Sequence, residues 1–269
     1  MRRFLLAAAL MLCAGVLTAQ ELFRLTVSDV QTAKALPGMA TAQKLFFPDT
    51  WSGLEKRLNE KNLSLPVQSV EHLNSPDGFA MTVRGITKPQ FVYLLKYKIL
   101  HPDWTYRENA DGSIRLNEPG YLVQAAGNDV LTVSRGKVAA GTTVAPSVSC
   151  PADAVIHGVF PVSKAMQAEQ PMLIGVDQID LHVLKNTARL QGAVYLKAAK
   201  PESVIMRANL FIAGNLTKAA QAGPLTDDHK KAFRAEPTPI SGCAVIRFDL
   251  SPELADAFFT LLSRLKAAQ

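Results

Sequence analysis

The chain has 269 residues, a formal net charge of +6, and 48% apolar against 19% charged residues. That length allows one large domain or two of ordinary size. The charge is spread evenly and forms no dense basic stripe, so the electrostatic footprint of a nucleic-acid binder is absent.

The chain opens MRRFLLAAALMLCAGVLTA. Arg2 and Arg3 form a positive n-region, Phe4 to Leu17 an apolar run, and Ala19 a small residue at a cleavage position. This is the anatomy of a secretory signal peptide over residues 1–19. The apolar run is short for a membrane span, which needs roughly 20 residues. An uncleaved N-terminal anchor is the alternative. A lipoprotein reading of Cys13 is disfavoured by Leu12, which stands where such sites want a small residue. Removing residues 1–19 takes Arg2 and Arg3 with it and leaves a net charge of +4. The expected location is therefore exported, periplasmic or extracellular. No later apolar run approaches membrane length.

Next, FRLTV reads as a strand and DTWSGLEKRLNEKN as a helix. LPVQSVEHL and GFAMTVRG read as strands of a hairpin around Asn74-Ser75-Pro76-Asp77-Gly78. A helix is predicted from Pro89 to Leu100. Two hairpins follow, DWTYREN with SIRLN and YLVQAA with VLTVSRG, each around ordinary turn residues. Between them these elements form an N-terminal unit over residues 20–134.

Residues 135–152 are small, contain Ser, Thr and Pro, and carry no aromatic residue. They read as a linker, or as an irregular edge strand through VAAGTTVAPSV. A C-terminal unit over residues 153–269 follows, with strands AVIHGVF, MLIGVDQIDLHVL, ARLQGAVYLK and AVIRFDL. SKAMQAEQP is a short helix or loop, and a longer helix begins at Pro201. Pro237 and Pro239 confine any strand near them to a sheet edge, because proline cannot donate to a ladder.

Three stretches align on a proline: FAMTVRGITKPQFVYLLKYKIL at Pro89, GAVYLKAAKPESVIMRANLFI at Pro201 and AVIRFDLSPELADAFFTLLSRL at Pro252. In each, an apolar strand ends and a helix starts. Proline suits the first helical turn, since its missing N–H has no intrahelical partner there. Ser251 can cap its helix; Lys88 and Lys200 at the matching positions cannot. The expected stripes are Phe91, Leu94, Leu95 and Ile99 in the first helix, and Leu254, Ala257, Phe258, Leu261 and Leu265 in the last. The fold class is α+β: two-layer sandwiches of antiparallel sheet and helix, with ferredoxin-like repeats of a hairpin–Pro–helix unit.

Catalytic spacings are missing. There is no GxxxxGK loop, GxSxG elbow, HExxH, CxxC or dinucleotide fingerprint. The weak catalytic candidates are His72 with Asp77, flanking a hairpin, and the cluster Asp227, Asp228 and His229. His157 and His182 read as satisfied sheet histidines. Trp104 and Tyr106, near Tyr93, Tyr97, Lys96 and Lys98, read as core before they read as a binding face. No cofactor and no metal site is implied. Cys150 and Cys243 each precede a strand, and a disulfide between them is possible if those strands are neighbours. Two buried reduced thiols are the alternative.

The reading that results is an exported, non-catalytic binding or structural protein of the cell envelope or extracellular space. Its partner would be an envelope protein or polymer. The alternative is a hydrolase acting on an envelope or extracellular substrate, with its site between the two units.

Overall fold

The computed structural model describes residues 22–46, 54, 56–117, 120–138, 144–222, 234–238 and 240–267. The predicted signal peptide lies outside them, as do Asp227, Asp228 and His229.

Twelve strands form one antiparallel sheet: β1 (Phe23–Val27), β2 (Ser69–Ser75), β3 (Gly78–Arg84), β4 (Tyr106–Glu108), β5 (Ile114–Leu116), β6 (Leu122–Gly127), β7 (Val130–Gly136), β8 (Ala154–Pro161), β9 (Val176–Leu184), β10 (Leu190–Ala198), β11 (Arg234–Pro237) and β12 (Cys243–Leu250). Their order is β11-β12-β10-β9-β8-β1-β2-β3-β7-β6-β5-β4. The helices are α1 (Val30–Ala35), α2 (Met39–Phe46), α3 (Lys88–Lys96), α4 (Lys164–Glu169), α5 (Pro201–Ala222) and α6 (Pro252–Ala267). This is mixed helix and strand on a large antiparallel sheet, compatible with the α+β class. The strand order does not confirm ferredoxin-like repeats. Most strands pair with their neighbours in sequence, because short hairpin loops make that the cheapest closure.

The two halves share one sheet because β1 sits between β2 and β8. Leu25 is level with His72 on one side and Gly158 on the other. Ser28 tightens the join: its N–H donates to the Val155 carbonyl at 3.0 Å and its hydroxyl to the Ala154 carbonyl at 3.0 Å.

One sheet face carries the continuous core. Phe23, Leu25 and Val27, then Val70, Phe79, Met81 and Val83, then Ile156, Phe160, Ile179, Leu181 and Val183 are all buried. Alternation at period two puts these residues on one side. Helix α3 contributes Phe91, Leu94 and Leu95, and Ile99 is buried just beyond it, as its spacing predicts. At the other end α5 contributes Val204 and Ala208, and α6 contributes Ala255 and Phe259. Of the stripe expected for α6, Leu254 and Phe258 pack partly buried against the core, while the fully buried positions are the next residues along, Ala255 and Phe259; the side chains of Leu261 and Leu265 lie outside those described. Phe259 packs where Gly38, between α1 and α2, leaves room for its ring. Thr41 of α2 also donates to Asp256 of α6, so the outermost helix is held by a segment from the other end of the chain.

All three prolines stand at helix starts after strands, as the alignment indicates. The caps differ from expectation. Thr87, not position 88, caps α3: its hydroxyl accepts from Gln90 N while its own N–H donates to Gln90 Oε1 at 2.9 Å. This reciprocal box satisfies two otherwise free donors. Ser251 does cap α6, accepting from Leu254 N at 3.4 Å. Strand β11, which contains Pro237, lies at the sheet edge.

The stretch read as a linker is not free along its second part. Val144 and Val148 are buried. Ser147 N donates to Asp180 Oδ2 at 2.8 Å, and Gln178 Nε2 donates to the Ala145 carbonyl at 3.1 Å. Residues 144–150 therefore form a strap across the face of β9 opposite the core.

Gly85 ends β3 at φ +89°, where an added Cβ would run into the Pro66 carbonyl oxygen. Gly85→Ala should cost about 2 kcal/mol or more in urea unfolding. Gly214→Ala, within α5 with nothing in 4 Å, should stabilise by up to about 1 kcal/mol.

Candidate functional site

Of the sequence candidates, the two that lie among the described residues, His72 and Asp77, do not converge. His72 is 1% exposed on the core face, its ring 5.4 Å from those of both Phe23 and Phe79. Asp77 is exposed at the tip of the β2–β3 hairpin. One is core and the other a turn residue. Trp104 and Tyr106 pack partly buried against the core, while Tyr93 and Tyr97 stay exposed with their rings 4.5 Å apart. Beside β9 and β10, Lys185 pairs with Asp29 at 3.3 Å, and Arg189 with Asp249.

The cysteines are both free, Cys150 exposed and Cys243 buried. The strands they precede, β8 and β12, are separated by β9 and β10. The neighbouring strands that a disulfide required are therefore not present.

What the structure does assemble is a different group. On the face opposite the core, His157 of β8 lies directly across from His182 of β9. Their rings are 4.9 Å apart and nearly perpendicular, at 65°. Cys150, at the end of the strap, joins them. One ligand atom from each of Cys150, His157 and His182 lies within 4.8 Å of the others. Tyr195 of β10 completes one wall, its ring 5.5 Å from that of His182.

The electrostatics of this group follow from burial. His182 is 1% exposed, and neither of its ring nitrogens has a hydrogen-bond partner among the described residues. His157 Nε2 is likewise buried without one. Desolvation lowers the pKa of His182 to about 4, and the nearby His157 adds to the effect. His157 is lowered by desolvation and then by the positive charge of Arg24. Cys150 is raised by desolvation and by the neighbouring Asp153 carboxylate. One row away, burial raises Asp180, opposed by its bonds to Ser147 and Gln178.

The expectation that His157 and His182 are strand residues holds; among the described residues, neither ring nitrogen of His182 nor His157 Nε2 has the hydrogen-bond partner expected of it. Sequence offered one usable signal. In VDQIDLHVL, Gln178, Asp180 and His182 share one face at period two, which marks a polar row on a strand otherwise buried. The register that sets His157 beside His182 is a tertiary fact.

A second feature is apolar. Along the outer side of α5, Met206 is 61% and Leu210 68% exposed, four residues apart on one stripe. Phe211 and Ile174 are exposed too. Arg207 donates to the Ile174 carbonyl and so fixes that loop against the helix. No described helix is long and apolar enough to cross a membrane.

No family model and no curated protein matches the chain. Solved structures do. The chain is similar to TP0453 in its crystal form III, with a TM-score of 0.55 at 8% identity over 93% of this chain and 97% of that one. Crystal form IV gives 0.52 at 8% identity, covering 93% and 95%. Crystal form I gives 0.51 at 9%, covering 93% and 96%. At such identities the likeness is one of fold, and it runs through nearly the whole of both chains.

The neutral His182 has a consequence for acid stability. Its folded pKa of about 4 lies below its unfolded value near 6.5. Between those values the unfolded chain binds the extra proton. Stability is therefore full above about pH 6.5 and falls as pH drops toward 4, by up to about 3 kcal/mol from this residue. Urea midpoints measured across that range should fall steeply in the wild type. In His182→Phe the fall should be shallower, with His157 and the carboxylates of lowered pKa, Asp29 and Asp249 among them, contributing to what remains.

Proposed function

We propose that this chain is an exported, non-catalytic binding protein that works in the cell envelope or outside the cell. Its partner is an envelope protein or polymer. The observation that carries this reading is the outer stripe of α5, where Met206 and Leu210 stand more than half exposed beside Phe211 and Ile174. Scattered exposed apolar residues are ordinary, but a contiguous group on one helix face is a mark of contact surfaces. The secretory anatomy of residues 1–19 supports the location. His72 in the core and Asp77 at a turn stand apart, so this described pair lends the hydrolase alternative no support.

The stripe is tested by placing a photo-crosslinking amino acid at Leu210 in cells that export the protein. A discrete adduct should form there, and none at Glu202, which is exposed on the same helix. Met206→Glu should abolish the adduct without changing the urea midpoint. Equal, diffuse labelling at both positions would count against the stripe as the contact surface. N-terminal sequencing of the same exported material should begin at Gln20.

A further inference from the structure

We propose that Cys150, His157 and His182 bind a single zinc-class transition-metal ion, with a fourth coordination position open to solvent. The donor set decides the class. One thiolate and two imidazoles are borderline-soft ligands, suited to zinc and its neighbours and unsuited to magnesium or calcium, which take oxygen.

The geometry is close to what such an ion requires. Ligand atoms around a tetrahedral zinc stand roughly 3.5 Å apart, given Zn–N near 2.0 Å and Zn–S near 2.3 Å. Here they lie within 4.8 Å of one another. Two of the three are anchored on paired strands, where the His157–His182 register fixes them. The third is on the strap, and Cys150 is exposed, so the thiol is the group that can close the remaining gap. Asp180 positions that strap through Ser147, three residues before the thiol.

The independent observation is His182. A histidine 99% removed from solvent nearly always has a hydrogen-bond partner. His182 has none at either nitrogen among the described residues, and it faces the other two groups. Each orphaned polar atom costs about 1–3 kcal/mol. A metal ion converts one of those orphaned lone pairs into a coordinate bond. Cys150 binds as thiolate, so one proton leaves to solvent on binding, in exchange for one sulfur–metal bond. His157, half-buried at the rim, completes the set.

The test is a cobalt titration of the reduced, metal-free protein. One equivalent of Co2+ should give the near-ultraviolet charge-transfer band of a cobalt–thiolate bond and the intense visible bands of tetrahedral cobalt. Zn2+ should displace it. Zn2+ should also slow alkylation of Cys150 by roughly tenfold or more, while buried Cys243 stays unreactive either way. Cys150→Ser, at an exposed position that should not disturb folding, must lose the charge-transfer band. His157→Ala should weaken binding by roughly tenfold or more. A weak octahedral cobalt spectrum shared by wild type and Cys150→Ser would overturn the proposal, as would alkylation of Cys150 indifferent to Zn2+.

Discussion

The rest of the structure hangs on five residues, Phe23 to Val27. Strand β1 pairs antiparallel with β2 on one side and β8 on the other, and it is the joint at which the two halves of the sheet meet. Its side chains serve both faces. Phe23, Leu25 and Val27 enter the core, while Arg24 and Thr26 face the other way. Thr26 is level with His157, and Arg24 is near enough to depress the histidine's pKa. Without β1, β8 would be an edge strand with open hydrogen-bonding groups. The row that carries His157 and His182 would then have one neighbour fewer.

The two sheet faces are used differently. Helices α1, α2, α5 and α6 and the buried residues of α3 are spent on the core face, where the bulk of the apolar area lies. The opposite face is covered locally by the strap, held by Asp180 and Gln178 rather than by apolar packing alone. Polar side chains buried beneath such a cover must be paired or cost stability. Asp180 is paired with the strap backbone. Among the described residues His182 is not paired at either ring nitrogen, nor His157 at Nε2, and that contrast on one sheet face singles them out. The apolar stripe of α5 is the converse case, with apolar side chains left in water on a helix whose inner side is already satisfied by Val204 and Ala208.

Much of the fold could be read from local pattern. Strands with clear alternation, hairpin turns and the strand–Pro–helix junctions need only neighbours in sequence, and these stand where expected. Helices α1 and α2 were not anticipated. Each is short, Pro37 and Gly38 separate them, and their stability comes from the Asp29 cap and from packing on β8 and α6. The cap of α3 is Thr87, one residue before the Lys88 that aligns with Ser251, so the repeat alignment does not point to it. On α6, Ala255 and Phe259 are buried more deeply than the expected Leu254 and Phe258, because a repeat alignment fixes a period and leaves the exact helix rotation to its packing partner. The cysteine–histidine group was illegible for a different reason. Its members are brought together by a cross-strand register and by a loop folded back over the sheet, and neither leaves a spacing in the chain.

The central claim is that β1 couples both halves into one cooperative sheet. Hydrogen exchange of wild type and Thr26→Pro tests it most directly, since a proline there removes a donor from a doubly paired strand at a cost of about 3 kcal/mol or more. The most protected amides of β3 and of β10 should share one opening free energy in the wild type, and both should lose protection by the same factor in the variant. Amides of β10 that keep wild-type protection while those of β3 lose theirs would show two independent halves and contradict the account.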